Sequence, residues 1–196
     1  ASAPDGVVLA LDADPAAIAR AEALRADPVS GARLIAVQSN FAELSQIARE
    51  LDFAPVNGVL LDLGLSSFQL DAPDRGFAFR LDGPLDMRFD PTRGVPASEL
   101  VNTLPETELA DLIWRFGEEP GSRRIARAVV RERSTAPIES TAQLAAIVER
   151  ALGGRRGRDT HPATRTFQAL RIATNDEVRA LESALQGAVD VLAPGG

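Results

Sequence analysis

Short apolar runs alternate with amphipathic stretches through the first third of the chain. Val7-Val8-Leu9-Ala10-Leu11 is unbroken and ends at Asp12, the pattern of a strand buried on both faces. Asp14-Pro15 supplies an N-cap and a first helical residue, predicting a helix with Ile18, Ala21 and Leu24 on one face. A second strand is predicted over 33–37, and a second helix over 41–51 with Leu44, Ile47, Ala48 and Leu51 spaced for burial. A third strand is predicted over 56–63, closing on Asp62-Leu63-Gly64. Strands joined by single helices of this length predict a parallel sheet with right-handed crossovers.

The pattern then breaks. Residues 64–98 are dense in turn chemistry, with Pro73-Asp74, Arg75-Gly76, Asp82-Gly83-Pro84, Asp90-Pro91 and Arg93-Gly94. A loop this long marks a functional segment or the departure into an inserted module. Helices follow. Thr103 to Glu106 fits a capping box ahead of Leu109, Leu112, Ile113 and Phe116, which lead to Gly117. Ser122 is placed to cap a helix that turns Ile125, Val129 and Val130 inward and Arg124, Arg127 and Arg131 outward. Ser140-Thr141-Ala142-Gln143 predicts another capping box before Leu144, Ile147, Val148 and Leu152, stopped by Gly153-Gly154. The stretch 162–192 reads as helical, running on or re-capping at Asn175, with Val178, Leu181, Leu185 and Val189 buried. A helix leading into Pro194-Gly195-Gly196 ordinarily hands over to a strand. The expectation is a piece of a larger α/β domain.

Composition narrows the class. The 196 residues are 45% apolar and 25% charged, with mean hydropathy −0.04, an ordinary globular balance. No apolar run approaches a membrane span, and no charged-then-apolar leader opens the sequence. There are no cysteines and one histidine, His161, so no metal centre is expected. A cytoplasmic protein is the default. The net charge of −7 hides an asymmetry, since all 21 basic residues are arginine. Residues 75–175 hold 16 Arg against 13 Asp and Glu, whereas the remainder holds 5 against 15. Arg123, Arg124, Arg127, Arg131 and Arg133 cluster, as do Arg150, Arg155, Arg156, Arg158, Arg165 and Arg171. Arginine-only usage can reflect genome composition and solvated helix faces. It also suits a basic module for phosphate oxygens on an acidic core.

Three strand ends carry the candidate chemistry. An acidic residue at the carboxyl end of a strand, as Asp12 is, accepts hydrogen bonds from ribose hydroxyls in doubly wound nucleotide-binding folds. That logic fits NAD and S-adenosylmethionine alike, and an ordinary loop carboxylate is the plain alternative. Phe41 follows the next strand end and can edge an adenine or belong to the core. Asp62 ends the third strand on the same rim. No glycine-rich phosphate loop occurs in the sequence, which weakens a simple dehydrogenase reading. With His161 as the one imidazole, hydrolase triads lack a base. Asp86 and Asp90 can form a carboxylate pair, although local pairing with Arg88 is the commoner outcome.

Longer motifs carry a family resemblance. The run from Asp62 to Asp71 (DLGLSSFQLD), then Arg75-Gly-Phe-Ala-Phe-Arg80 and Asp82-Gly-Pro-Leu-Asp-Met-Arg-Phe-Asp90, resembles the RsmH (MraW) methyltransferases. So do Gly117-Glu-Glu, the run from Ser122 to Ala128, and the run from His161 to Ile172. The resemblance implies a class I S-adenosylmethionine-dependent, Rossmann-like parallel sheet, incomplete here, with an inserted all-helical domain. Residues 1–78 and 173–196 would form the methyltransferase core and 79–172 the RNA-recognition insert. It implies methylation of the N4 atom of a cytidine in the decoding region of 16S ribosomal RNA in the small ribosomal subunit. No membrane partner is implied, and a homodimer is left open. By motif match the cofactor contacts fall on Asp12, Phe41, Asp62 and Gln69. Phe68 stands where the family usually has proline. The family's glycine-rich loop and carboxyl-terminal strands have no counterpart in the sequence.

Methyl transfer needs orientation more than a strong nucleophile. Acceptors around the cytosine amino group would come from the 62–67 segment, through backbone carbonyls or Ser66 and Ser67, with Asp62 favoured for the cofactor. Phosphate contacts would come from Arg123, Arg124, Arg127, Arg131, Arg155, Arg156, Arg158 and Arg165, and His161 would organise its loop. A nicotinamide-dependent oxidoreductase and a non-catalytic RNA-binding or ribosome-assembly factor remain as alternatives.

Overall fold

The computed structural model describes residues 5–25, 33–154 and 160–196. The chain divides into two compact units, one of Ala1–Leu63 with Glu177–Gly196 and one of Gly64–Asp176.

In the first unit, β1 (Val8–Asp12) and β2 (Leu34–Gln38) pair in parallel, with Val8 opposite Leu34 and Asp12 opposite Gln38. The intervening helix α1 (Pro15–Arg25) starts where Pro15 sets the first turn and Asp14 Oδ1 accepts the Ala16 N–H at 2.9 Å. The expected cap forms, but Leu24 is exposed rather than buried. The predicted helix over 41–51 opens as a 3-10 turn, Phe41–Glu43, before α2 (Leu44–Glu50), which buries Ile47 and Ala48 while Leu51 is exposed.

The third predicted strand does not form. Val56 makes one parallel bridge to Leu192, through the Val56 N–H to Val191 O and the Ala193 N–H to Val56 O, both 2.8 Å. Residues 57–63 have no ladder partner among the described residues, and Leu60 is 91% exposed. An apolar run becomes a strand only beside another strand. The arrangement is a two-stranded parallel sheet with helices, consistent with an incomplete Rossmann-like fold.

Helix α9 (Glu177–Val191) packs on α2 and the 3-10 turn with Ala180, Ala184, Gly187 and Ala188. Close approach selects these small residues, for a Cβ on Gly187 would lie 3.0 Å from Ser45 Cβ. The larger Val178, Leu185 and Val189, predicted to be buried, are 41%, 53% and 71% exposed.

The second unit carries α3 (Ser67–Asp71), α4 (Ala97–Thr103), α5 (Glu106–Gly117), α6 (Ser122–Arg133), α7 (Thr141–Ala151) and α8 (Thr164–Thr174). Leu109 and Ile113 of α5, Ile125 and Val129 of α6, Leu144 and Val148 of α7, and Phe167 and Leu170 of α8 meet in one core. The Ser140–Gln143 capping box forms as predicted. Two other caps do not. Thr103 ends α4, donating its hydroxyl to Glu99 O at 2.7 Å, so α5 begins after Pro105 without a side-chain cap. Ser122 is the buried first residue of α6 behind Gly121, whose N–H goes to Glu119 Oε1 at 2.8 Å. The break at Asn175 separates α8 from α9, with Asp176 at φ 48°.

Candidate functional site

Two of the three predicted rim residues share the carboxyl edge of the sheet. Asp12 ends β1, is exposed, and its Oδ1 accepts the Asp14 N–H at 2.8 Å. Its carbonyl takes the Ser39 N–H at 3.0 Å, tying the two strand ends together. Phe41 lies three residues beyond Gln38, at the start of the 3-10 turn, half-buried. Asn40 positions that turn, its Oδ1 accepting the Ala42 N–H at 2.9 Å, while Ser39 Oγ donates to Glu43 Oε2 at 2.6 Å. Periodicity does not single out Asn40 or Ser39, although an Asn just after a strand and before an aromatic is an N-cap signal. Asp62 is exposed within the unpaired 57–63 segment, so no ladder carries it to the Asp12 edge.

In the second unit, Ser66 and Gln69 form a reciprocal capping box on α3, and Ser67 is exposed. Ser66 Oγ accepts the Gln69 N–H at 3.2 Å, so this hydroxyl already serves the turn. Phe68 occupies the second residue of α3, a first-turn position where proline is equally at home, and the box forms with phenylalanine there.

Arg123, Arg124, Arg127 and Arg131 stand exposed along α6. Arg127 Nε lies 3.5 Å from Glu106 Oε1, and Glu132 Oε1 lies 3.6 Å from Arg131 and 3.5 Å from Arg150. Arg133, clustered with them in sequence, turns away to donate to Val101 O and Leu104 O, both at 2.6 Å, at the end of α4. Arg165 Nη1 donates to Glu118 O at 2.9 Å at the end of α5. Arg155, Arg156 and Arg158 lie outside the described residues.

His161 holds its loop. Its Nδ1 accepts the Ala163 N–H at 3.1 Å, its ring stacks on Phe79 at 4.3 Å between centroids, and Nε2 lies 3.6 Å from Glu149 Oε2. Phe79, Arg80, Ala142, Ala145, Ala146, Glu149 and His161 line a cavity of about 530 Å³. Asp86 takes the local pairing, accepting from Arg88 Nη2 at 2.7 Å and Nε at 2.8 Å. Burial alone would raise the Asp86 pKa, but the Arg88 hydrogen bonds and the Arg88 and Arg75 charges hold it below the ordinary carboxylate value. Among the described residues no cluster of three or more metal-ligating side chains occurs, and no helix is long and apolar enough to cross a membrane.

The model of one protein family, described as the MraW methylase family, matches residues 2–196. The chain belongs to the MraW methylase family. A member from Thermomicrobium roseum, named ribosomal RNA small subunit methyltransferase H, is 58% identical over 196 residues, covering all of this chain and 59% of its own length. Proteins of the same name from Dehalococcoides mccartyi and Xanthobacter autotrophicus are 52% and 53% identical over 196 and 195 residues, covering 54% and 55% of their own lengths. The chain therefore spans little more than half the length of the curated relatives it matches. The family match runs across the residues of both units.

Proposed function

We propose that the full-length protein methylates the N4 atom of a cytidine in the decoding region of 16S ribosomal RNA, in the cytoplasm, with S-adenosylmethionine as donor. The observation that carries this reading is that Asp12 ends one strand of a parallel pair and Phe41 follows the carboxyl end of the other, in a chain the MraW family matches from residue 2 to 196. The relatives' shared name supports ribosomal RNA as the substrate class. The 64–176 unit would carry the RNA-facing insert, which the sequence bounds at 79–172, and the 56–63 segment would join the sheet of the complete protein.

The rim fits a nucleoside sulfonium. The Asp12 carboxylate is exposed at a strand end, with its backbone and Oδ1 fixed by Ser39 and Asp14, so it can accept from two vicinal ribose hydroxyls. Phe41, held by the Asn40 cap, offers an aromatic surface to adenine. By family likeness the cofactor contacts would also include Asp62 and Gln69. When bound, the cofactor supplies an electrophilic methyl group. The chain's own residues orient the base: backbone carbonyls of 62–67 and the Ser67 hydroxyl can accept hydrogen bonds from the amino group, while Ser66 is engaged by Gln69, and the proton left on nitrogen after transfer passes to solvent water.

The test is transfer of labelled methyl to small-subunit RNA by the full-length protein, with the modified nucleotide located by mass spectrometry. Asp12→Ala should weaken cofactor binding by about tenfold or more, the loss of one charge-assisted contact. Retention of NAD instead, or RNA binding with no methyl incorporation, would replace the reading by the oxidoreductase or assembly-factor alternatives.

A further inference from the structure

The arginines of the helical unit are held in two different ways. Arg133, Arg165 and Arg75 spend guanidinium N–H groups on backbone carbonyls and so build the fold. Arg131 and Arg150 spend none, for neither guanidinium makes a hydrogen bond among the described residues. Both reach instead toward one carboxylate oxygen. Glu132 Oε1 lies 3.6 Å from Arg131 Nη2 on α6 and 3.5 Å from Arg150 Nη2 on α7. The two nitrogens are therefore no more than about 7 Å apart, although their side chains are 77% and 61% exposed.

Two like charges this close repel, and a single carboxylate cancels only one of them. The neighbouring carboxylates are turned elsewhere, Glu106 to Arg127 and Glu149 to His161. The group is left with one uncancelled positive charge and with unspent donors on both guanidinium planes. A phosphodiester supplies one negative charge and two acceptor oxygens, which guanidinium forks match. We infer that Arg131 and Arg150 form one site for a single backbone phosphate of the RNA, with Glu132 holding the two groups together across α6 and α7. The inference rests on the RNA-methylation reading and adds Arg150, which lies outside the phosphate contacts expected from the sequence. Because Glu132 cancels one charge, loss of either arginine leaves nothing to neutralise the phosphate. Loss of both then removes no second phosphate.

The salt dependence of binding between the full-length protein and protein-free small-subunit RNA tests this. Arg131→Ala and Arg150→Ala should each shallow the slope of log affinity against log salt by about 0.7–0.9, the share of one phosphate. The double variant should lose no more than either single. A double loss of about 1.4–1.8 means two separate phosphates and overturns the shared site. An unchanged slope in either single overturns it as well. Arg115→Ala is the charge control, since Arg115 lies over the Phe116 ring on α5. An equal fall with Arg115→Ala would reduce the effect to overall charge and overturn the site. In a Glu132→Gln background one arginine carries an uncancelled charge, so adding Arg150→Ala should leave the slope where it was. A further fall there overturns the part given to Glu132. Exposed pairs of this kind add little to stability, so these variants should fold as the wild type does. Absence of salt-dependent binding by the wild-type protein sinks the RNA reading itself, whereas wild-type binding with both singles unaltered sinks the shared site alone.

Discussion

Asn175 grips the backbone of Met87. Its Nδ2 donates to Met87 O at 2.7 Å and to Arg171 O at 2.9 Å, while its Oδ1 accepts the Phe89 N–H at 2.7 Å. Met87 is fully buried at φ +64°, a conformation that costs a non-glycine residue roughly 1–3 kcal/mol and survives only where its surroundings enforce it. Arg75 adds a second clamp, donating to Arg88 O at 3.0 Å and Phe89 O at 2.9 Å. Asn175→Ala strands a donor and an acceptor of this loop and should destabilise the protein by about 1–3 kcal/mol in denaturant unfolding. Asn175→Asp keeps the acceptor for Phe89 but turns a carboxylate oxygen toward the Met87 and Arg171 carbonyls, so it should not restore the lost stability. Equal stability of Asn175→Ala and wild type would mean the Arg75 clamp suffices.

Gly117 marks where α5 touches α8. A Cβ there would overlap the Arg165 backbone carbonyl and lie 3.2 Å from Ala169 Cβ. Alanine is the better helix former by roughly 1 kcal/mol, yet overpacking typically costs about 1–3 kcal/mol. Because the clash is with backbone, which cannot rotate away, Gly117→Ala should lower the unfolding midpoint. A raised midpoint would show that α5 and α8 separate at little cost.

What the sequence made legible follows from how local each signal is. The Asp14-Pro15 cap and the Ser140–Gln143 box needed only neighbours within four residues, and both form. Ser66 and Gln69 have the same spacing as Ser140 and Gln143, but only five helical residues follow, too few for apolar periodicity to mark a helix within the turn-rich stretch. The 56–63 strand and the buried face of α9 depend on partners distant in sequence. Apolar periodicity reports that a face is apolar, not which neighbour covers it, and α9 turned its alanine stripe to α2. At the rim, Asp12 and Phe41 were legible because strand ends of a parallel sheet share an edge. The turning away of Arg133 was not, since its acceptors come from α4, about 30 residues earlier.

Asp86 predicts an acid limit. Its carboxyl is held below the ordinary aspartate value in the folded protein, chiefly by the Arg88 hydrogen bonds. A depressed folded pKa contributes stability that is complete above the unfolded value and is lost as pH falls through the folded one. This part of the stability should therefore be constant near neutrality and fade below about pH 4. Asp86→Asn should flatten the acid side of a stability–pH profile while costing stability at pH 7, because Arg88 then loses its partner. Profiles that differ by the same amount at pH 3 and pH 7 would exclude this ionisation as the cause.

The arginines of α6 separate into two jobs that one experiment can tell apart. Arg124, Arg127 and Arg131 are exposed, and the Arg127–Glu106 pair has a guanidinium side chain 76% exposed. Such surface pairs contribute about 0–1 kcal/mol, so reversing these charges should scarcely move the unfolding midpoint. If this face meets phosphates, Arg124→Glu, Arg127→Glu and Arg131→Glu together should weaken RNA binding. They should also shallow the slope of log affinity against log salt by about 2, given roughly 0.7–0.9 for each phosphate contact removed. Arg133→Ala should do the reverse, lowering stability by about 1–3 kcal/mol because the α4 carbonyls lose charge-assisted donors, with the salt slope intact. The contrast is what carries the argument, since a nonspecific loss of structure would move both quantities in both variants. An unchanged salt slope in the triple reversal would remove α6 from the RNA-facing surface.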